Sequence, residues 1–289
     1  MSESDRDHDI VVWGATGVAG RLLAEYLAGQ YTPDELALAL GGRDEERLGS
    51  VGADIRETTD AWDEVPIVLG DATDPESLRA LAAETDVVAT TVGPYTNYGS
   101  PLVEACIETG TDYCDLTGEI NWIREVVDEY HDDAVAAEAR IINSCGFDAV
   151  PADMGTLLVQ SYAAAEHGAP CEEVRIYVDD ASGGVSGGTL ASFAELFEAA
   201  SEDPVARETL RNPYSLAPPG EREGVDRGAR RLARKDRWRS EWTAPSPMAA
   251  MTARVRPRSH ALPFCRYRPP CRAPAGHPPG RSLRPTACA

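Results

Sequence analysis

The sequence predicts an α/β protein: a doubly wound parallel sheet over residues 1–155, followed by a partial second α/β domain. Two observations carry that prediction. Short apolar runs alternate with segments of helical periodicity through the first 150 residues, the pattern of parallel strands joined by crossover helices. The first of those runs enters a glycine-rich turn that opens directly into a helix.

The elements follow in order. Ile10–Trp13, Leu36–Leu40, Ile67–Leu69, Val87–Val92 and Ile141–Ser144 read as buried strands, with Asp112–Asp115 a weaker one. Helices are expected at Val18–Ala28, Asp44–Leu48, Pro75–Ala83, Pro101–Thr109 and Trp122–Ala139. Pro75 and Pro101 are placed at first helical positions, where a fixed φ helps and the missing N–H costs nothing. Beyond Pro151 the pattern changes: Met154–Ala165 reads as a helix, Val174–Val178 as a strand, Ser182–Gly188 as a glycine-rich turn and Thr189–Ala200 as a helix. These open the second domain, 156–262. Residues 263–289 form an Arg-, Pro- and Cys-rich tail that cannot supply a core.

Charge divides the chain as well, within the second domain. Residues 1–203 hold 42 acids and 9 bases, and residues 204–289 hold 6 acids and 18 bases, which together give the net charge of −21. The acids are interleaved with apolar residues, which reads as halophilic adaptation of a folded surface instead of an acidic tail. Only one residue, Lys235, is a lysine. Walker A chemistry, Schiff-base chemistry and a lysine-built nucleic-acid surface are therefore excluded. No apolar run reaches the length of a membrane span, and Met1–Asp9 is acidic where a signal peptide is basic, so the expectation is a cytoplasmic protein, at most peripheral to a membrane. Seven cysteines without a CxxC pair and five scattered histidines give no metal site, and reduced thiols are expected.

Chemistry is concentrated at strand ends. Ile10–Trp13 runs into Gly14-Ala15-Thr16-Gly17-Val18-Ala19-Gly20. Gly14 and Gly17 allow a tight turn and close approach of a pyrophosphate, the helix start offers free amides, and Gly20 permits close packing of helix on strand. In this strand-turn-helix context the pattern indicates a Rossmann-type dinucleotide site. At the end of the second strand stands Arg43, 23 residues past Gly20, where an NAD site would carry an acid. A guanidinium there favours the 2′-phosphate of NADP(H), unless it only pairs with Asp44, Glu45 or Glu46. Asp71, with Ala72, is placed to meet the adenine, or simply forms a turn.

The fourth strand ends in Val92-Gly93-Pro94-Tyr95, whose small residues suit the nicotinamide ribose. Tyr95 and Tyr98 would line the ring or cap the core. The last strand leads to Cys145 and Asp148, which are site-lining candidates without an assigned catalytic role; a buried structural thiol is the commoner reading of Cys145, and Asp153 also reads as a helix cap.

Together with these motifs, Gly110-Thr111-Asp112-Tyr113-Cys114-Asp115-Leu116-Thr117-Gly118-Glu119, Cys145-Gly146-Phe147-Asp148 with Pro151 and Asp153, and Ser186-Gly187-Gly188-Thr189 resemble the saccharopine dehydrogenase-like oxidoreductases, in the branch of the trans-acting enoyl reductases. The resemblance covers roughly residues 8–262. It implies an NADP-binding domain, a second domain for substrate and for subunit contacts such as a homodimer would use, and hydride transfer to a double bond of a lipid-linked chain in lipid metabolism. Family members run longer, and the loss of acids after residue 262 reads as a tail translated out of frame; sequencing the coding DNA tests this, since the idea fails without an acidic continuation in another frame.

Three other functions compete. A short-chain dehydrogenase needs a Tyr four residues before a Lys, and Arg231 holds that place before Lys235, which excludes it. A saccharopine or amino-acid dehydrogenase shares the fold, but no clear constellation for a dicarboxylate substrate is present. A non-catalytic NADP-binding or interaction protein is the alternative of a different class. The basic stretch Arg227–Arg239 reads as an exposed connector, or as a contact for anionic lipid.

Overall fold

The computed structural model describes residues 6–171, 174, 194, 196, 198–212, 214–217, 220, 234–235 and 242–243. Six strands form one parallel sheet: β1 (His8–Trp13), β2 (Leu38–Gly42), β3 (Ile67–Leu69), β4 (Thr85–Thr90), β5 (Asp112–Asp115) and β6 (Ile141–Ile142). Their spatial order is β3-β2-β1-β4-β5-β6, the Rossmann arrangement, in which the winding reverses between β1 and β4. In register, Val11 lies between Ala39 and Val88, and Val12 between Leu40 and Ala89.

Successive residues of β1 serve opposite faces, as strand geometry requires. Val11 and Trp13 join a core with Leu78 and Leu81 of α3 (Pro75–Ala83), Leu102 and Val103 of α4 (Tyr95–Thr109), and Trp122 and Ile123 of α5 (Ile120–Ala136). Val12 joins the other layer, with Ala24 and Ala28 of α1 (Val18–Gln30) and Leu48, Val51 and Ile55 of α2 (Glu45–Thr58). Burial on both faces explains why the central strands read as unbroken apolar runs.

Several boundaries differ from expectation, each for a physical reason. β2 runs on through Gly41 and Gly42 because both pair with β3, at Val68 and Leu69. β4 starts at Thr85 and ends at Thr90, since Thr91 and Val92 turn away to back the glycine turn. β6 is confined to Ile141–Ile142 because Ser144 takes a left-handed conformation, φ 62°. α2 ends at Thr58, ten residues beyond the expected Leu48; Gly49 and Gly52 do not break it, and Asp44 is its cap, accepting the Arg47 N–H at 3.1 Å. Pro75 does follow a capping residue, Asp74, but Pro101 lies inside α4, which starts six residues earlier at Tyr95. α5 spans Ile120–Ala136 instead of Trp122–Ala139.

The chain divides into two compact units. The larger holds the sheet, α1 to α5, α7 (Pro204–Arg211) and the short antiparallel pair β7 (Arg234–Lys235) and β8 (Trp242–Thr243). The second holds α6 (Val150–His167) from Ala152 onward, where Gln160 exchanges two hydrogen bonds with the backbone of Cys171. Asp153 falls within the first turn of α6 and does not precede the helix as a cap. The described part of Thr189–Ala200 is helical. Ser182–Gly188, the 263–289 tail, and most of Val174–Val178 and Arg227–Arg239 lie outside the described residues. Among the described residues no helix is long and apolar enough to cross a membrane, and no group of three His, Cys, Asp or Glu side chains could hold a metal ion.

Candidate cofactor site

The turn after β1 is shaped by contacts that exclude side chains. Gly14 has φ +88°, and a β-carbon there would stand 2.7 Å from Val92 Cγ2. A β-carbon on Gly20 would overlap the Gly14 carbonyl and stand 2.7 Å from Thr91 Oγ1. Gly14 and Ala15 donate their amides to the Gly41 carbonyl, at 2.9 and 3.2 Å, which fastens the turn to β2. The buried Ala15 side chain belongs to the core. Helix α1 begins after Gly17 with no side-chain cap and no acid in its first turn, whereas α2, α3 and α7 each start with an aspartate cap. The amides of Thr16, Val18 and Ala19 have no acceptor among the described residues. A cradle too close for β-carbons, with free amides at the positive end of a helix dipole, fits a pyrophosphate.

Arg43 and Asp71 stand at the ends of β2 and β3. Arg43 is exposed and forms no ion pair with Asp44, Glu45 or Glu46, so its guanidinium is open to a ligand. Asp71 accepts the Thr73 amide and hydroxyl, both at 2.8 Å, as the turn-forming reading anticipated. Those bonds hold its carboxyl below the ordinary range, with Arg43 adding a smaller pull in the same direction. Ala72 packs on the core beside it.

Beyond β4, Thr91 reaches the carbonyls of Trp13 and Gly14 with its hydroxyl, at 3.4 and 3.3 Å, and Val92 abuts Gly14. Gly93 is exposed, and the Gly93–Pro94 peptide is cis. The two tyrosines part company. Tyr95 is 4% exposed, stacks 5.4 Å from Trp122 and donates its hydroxyl to the Thr90 carbonyl, so it packs the core; Tyr98 is exposed on the first turn of α4.

Two buried carboxylates that sequence reasoning passed over organise this edge. Asp115 accepts the Tyr113 hydroxyl (2.9 Å), the Asn143 amide (2.7 Å) and the backbone N–H groups of Thr117 (3.0 Å) and Ser144 (2.8 Å). Burial still raises its pKa above the ordinary value, against the pull of those donors. Glu119, fully buried, accepts the N–H groups of Tyr95 and Thr96. The spacing of Asp115, Thr117 and Glu119 after a strand was the only available signal, since nothing local separates a buried acid from the many exposed ones.

The loop after β6 is tied to the site through Asp115. Cys145 donates its amide to the Asp115 carbonyl at 2.6 Å. Its thiol is exposed and donates to the Ile142 carbonyl at 3.5 Å; the neighbouring Cys114 thiol holds its pKa below the usual range while that of Cys114 rises. Asp148 folds over Gly146, and partial burial raises its carboxyl. The glycine turn and the loops after β2 to β6 thus all lie at the carboxyl edge of one sheet, where α/β folds bind ligands.

Residues 10–142 match the family model of the saccharopine dehydrogenase NADP binding domain. The chain is 41% identical over 230 residues to the trans-acting enoyl reductase of Mycobacterium tuberculosis, covering 79% of this chain and 52% of that protein. It is 42% identical over 217 residues to the trans-acting enoyl reductase of Mycobacterium leprae, covering 75% and 51%. Another M. tuberculosis relative is 42% identical over 278 residues, covering 91% of this chain. The chain spans 51% to 63% of the length of these relatives. Among solved structures, apo saccharopine dehydrogenase (L-Glu forming) of Saccharomyces cerevisiae aligns with a TM-score of 0.43 at 19% identity, over 56% of this chain and 32% of that one.

Proposed function

We propose that the protein is an NADP(H)-dependent oxidoreductase of the saccharopine dehydrogenase-like family, reducing an enoyl or similar double bond on a lipid-linked substrate, a reading supported by the match of residues 10–142 to the saccharopine dehydrogenase NADP-binding domain. The observation that carries the reading is the Gly14–Gly20 cradle, where two positions exclude a β-carbon and the first amides of α1 are free. The names of the mycobacterial relatives support the enoyl chemistry.

When bound, NADPH supplies the hydride; the protein supplies binding, orientation and exclusion of water. The cradle amides hold the pyrophosphate, and Arg43 pairs with the 2′-phosphate. Asp71 and Ala72 border the adenine, and Val92, Gly93 and Pro94 border the nicotinamide ribose. Tyr98, Cys145 and Asp148 line the substrate side. Asp148 is the one carboxyl of that group, and burial lets it keep a proton to higher pH than an exposed aspartate. Peripheral contact with a membrane surface and pairing of two copies belong to the same proposal.

NADPH consumption should be followed with a panel of enoyl and keto thioesters. Oxidation dependent on an enoyl substrate is the expected result. Binding of NADPH with no oxidation across the panel would replace the reading with a non-catalytic NADP-binding protein.

A further inference from the structure

We infer that Glu119 is a positioning residue that sets the nicotinamide half of the site through the first turn of α4; the inference rests on the cofactor reading above. Glu119 is 0% exposed and stands at the start of α5, yet its carboxylate serves a different helix. Oε1 accepts the Tyr95 N–H at 3.0 Å, and Oε2 accepts the Thr96 N–H at 2.8 Å and the Thr96 hydroxyl at 2.6 Å. The residue before α4 is Pro94, which offers no side-chain cap, so Glu119 fills that role from 24 residues away.

Packing alone already joins these helices. Trp122 stacks on Tyr95, closes over Gly99 and donates its indole N–H to Ser100 Oγ at 3.0 Å. A buried carboxylate is a costly way to add cohesion, and an apolar side chain would pack there at less expense of desolvation. What the carboxylate adds is direction: it fixes the amides of the two residues that follow Gly93–Pro94, and thereby the exit of that loop from β4. In a doubly wound fold each half of the sheet serves one mononucleotide. The Gly14, Arg43 and Asp71 positions belong to the β1-β2-β3 half, and the Val92–Pro94 loop to the β4-β5-β6 half.

The test separates the halves. Adenosine 2′,5′-bisphosphate occupies only the adenine half, whereas NADPH occupies both. Glu119→Gln keeps the shape of the side chain but turns an amide donor toward at least one of the N–H donors. It is expected to weaken NADPH roughly tenfold and to shift the fluorescence of bound nicotinamide, while leaving the affinity for the bisphosphate unchanged. Thr96→Val, which removes one hydrogen bond and keeps the carboxylate, should move NADPH affinity less and in the same direction, and it serves if Glu119→Gln does not fold. Equal weakening of both ligands by the variant that folds, or of neither, overturns the positioning role. If the unchanged protein binds neither ligand, the cofactor reading fails, and the positioning role with it.

Discussion

Gly20 lies beneath the carbonyl oxygen of Gly14, so close that a β-carbon at position 20 would overlap that oxygen and stand 2.7 Å from Thr91 Oγ1. Ordinarily a glycine inside a helix is a weakness, and replacing it by alanine gains about 1 kcal/mol. Here the added methyl must displace backbone and the fourth strand's exit, an overpacking cost of about 1–3 kcal/mol. Gly20→Ala is therefore expected to lower stability in urea unfolding and to weaken NADPH. Gly29→Ala in the same helix is the control, since nothing lies within 4 Å of its β-carbon position. It should be neutral or stabilising, and similar effects for the two substitutions would show that close packing at Gly20 is not what selects glycine.

The Gly14–Gly20 turn could be read from sequence because its cause is local: strand, turn and helix follow without interruption, and the β-carbon exclusion falls on glycines. Asp44 and Asp74 cap the helices they precede, a cause just as local, yet the expected helix Asp44–Leu48 counted Asp44 inside it. The start of α4 could not be read, because its cap is Glu119, distant in sequence and brought near only by the sheet. Proline at position 101 was a misleading local signal for the same helix. Asp115 and Glu119 were hidden by composition: in a chain with 48 acids a carboxylate is by default a solvated one. Tyr95, a site candidate on sequence grounds, is turned inward by the stacking of Trp122, a contact that sequence order does not display.

Arg43 offers a test of cofactor choice with little structural side effect, because it is exposed and unpaired among the described residues. Arg43→Asp removes the proposed partner of a 2′-phosphate and places an acid where ribose hydroxyls would be met. NADPH affinity should fall by roughly tenfold to a hundredfold, the worth of one or two charge-assisted hydrogen bonds, while NADH affinity holds or rises. The urea midpoint should not move. Unchanged discrimination between the two cofactors would remove Arg43 from the site.

Asp115 is expected to impose a pH dependence. Burial raises its folded-state pKa above the unfolded value of about 3.9. Between those two values the folded chain binds the extra proton, so the contribution of Asp115 is complete below the lower one and is lost as pH rises through the upper one. Asp115→Asn abolishes that slope. It also leaves at least one of the donors now served by Oδ2 without an acceptor, at a cost of roughly 2–4 kcal/mol. Urea unfolding of both proteins from pH 4 to 7 measures the two effects together. A stability difference that does not narrow with rising pH would contradict the raised pKa.

Cys145 should be the most reactive of the cysteines at positions 106, 114, 145 and 171. Its thiol is exposed, and the neighbouring Cys114 thiol lowers its pKa, against the opposing effect of partial burial. Cys106 lies at the other extreme: it is buried, with its pKa pushed up to about 12. Because the thiolate is the nucleophile, iodoacetamide at neutral pH should label Cys145 first, as read by peptide mass mapping at short times. Cys114→Ala withdraws that neighbour, and is expected to raise the Cys145 pKa and slow its labelling several-fold. Faster labelling in that variant would mean that Cys114 shields the thiol instead of activating it. Saturating NADPH should also slow the reaction if the loop after β6 borders the cofactor, whereas an unchanged rate would place Cys145 away from it.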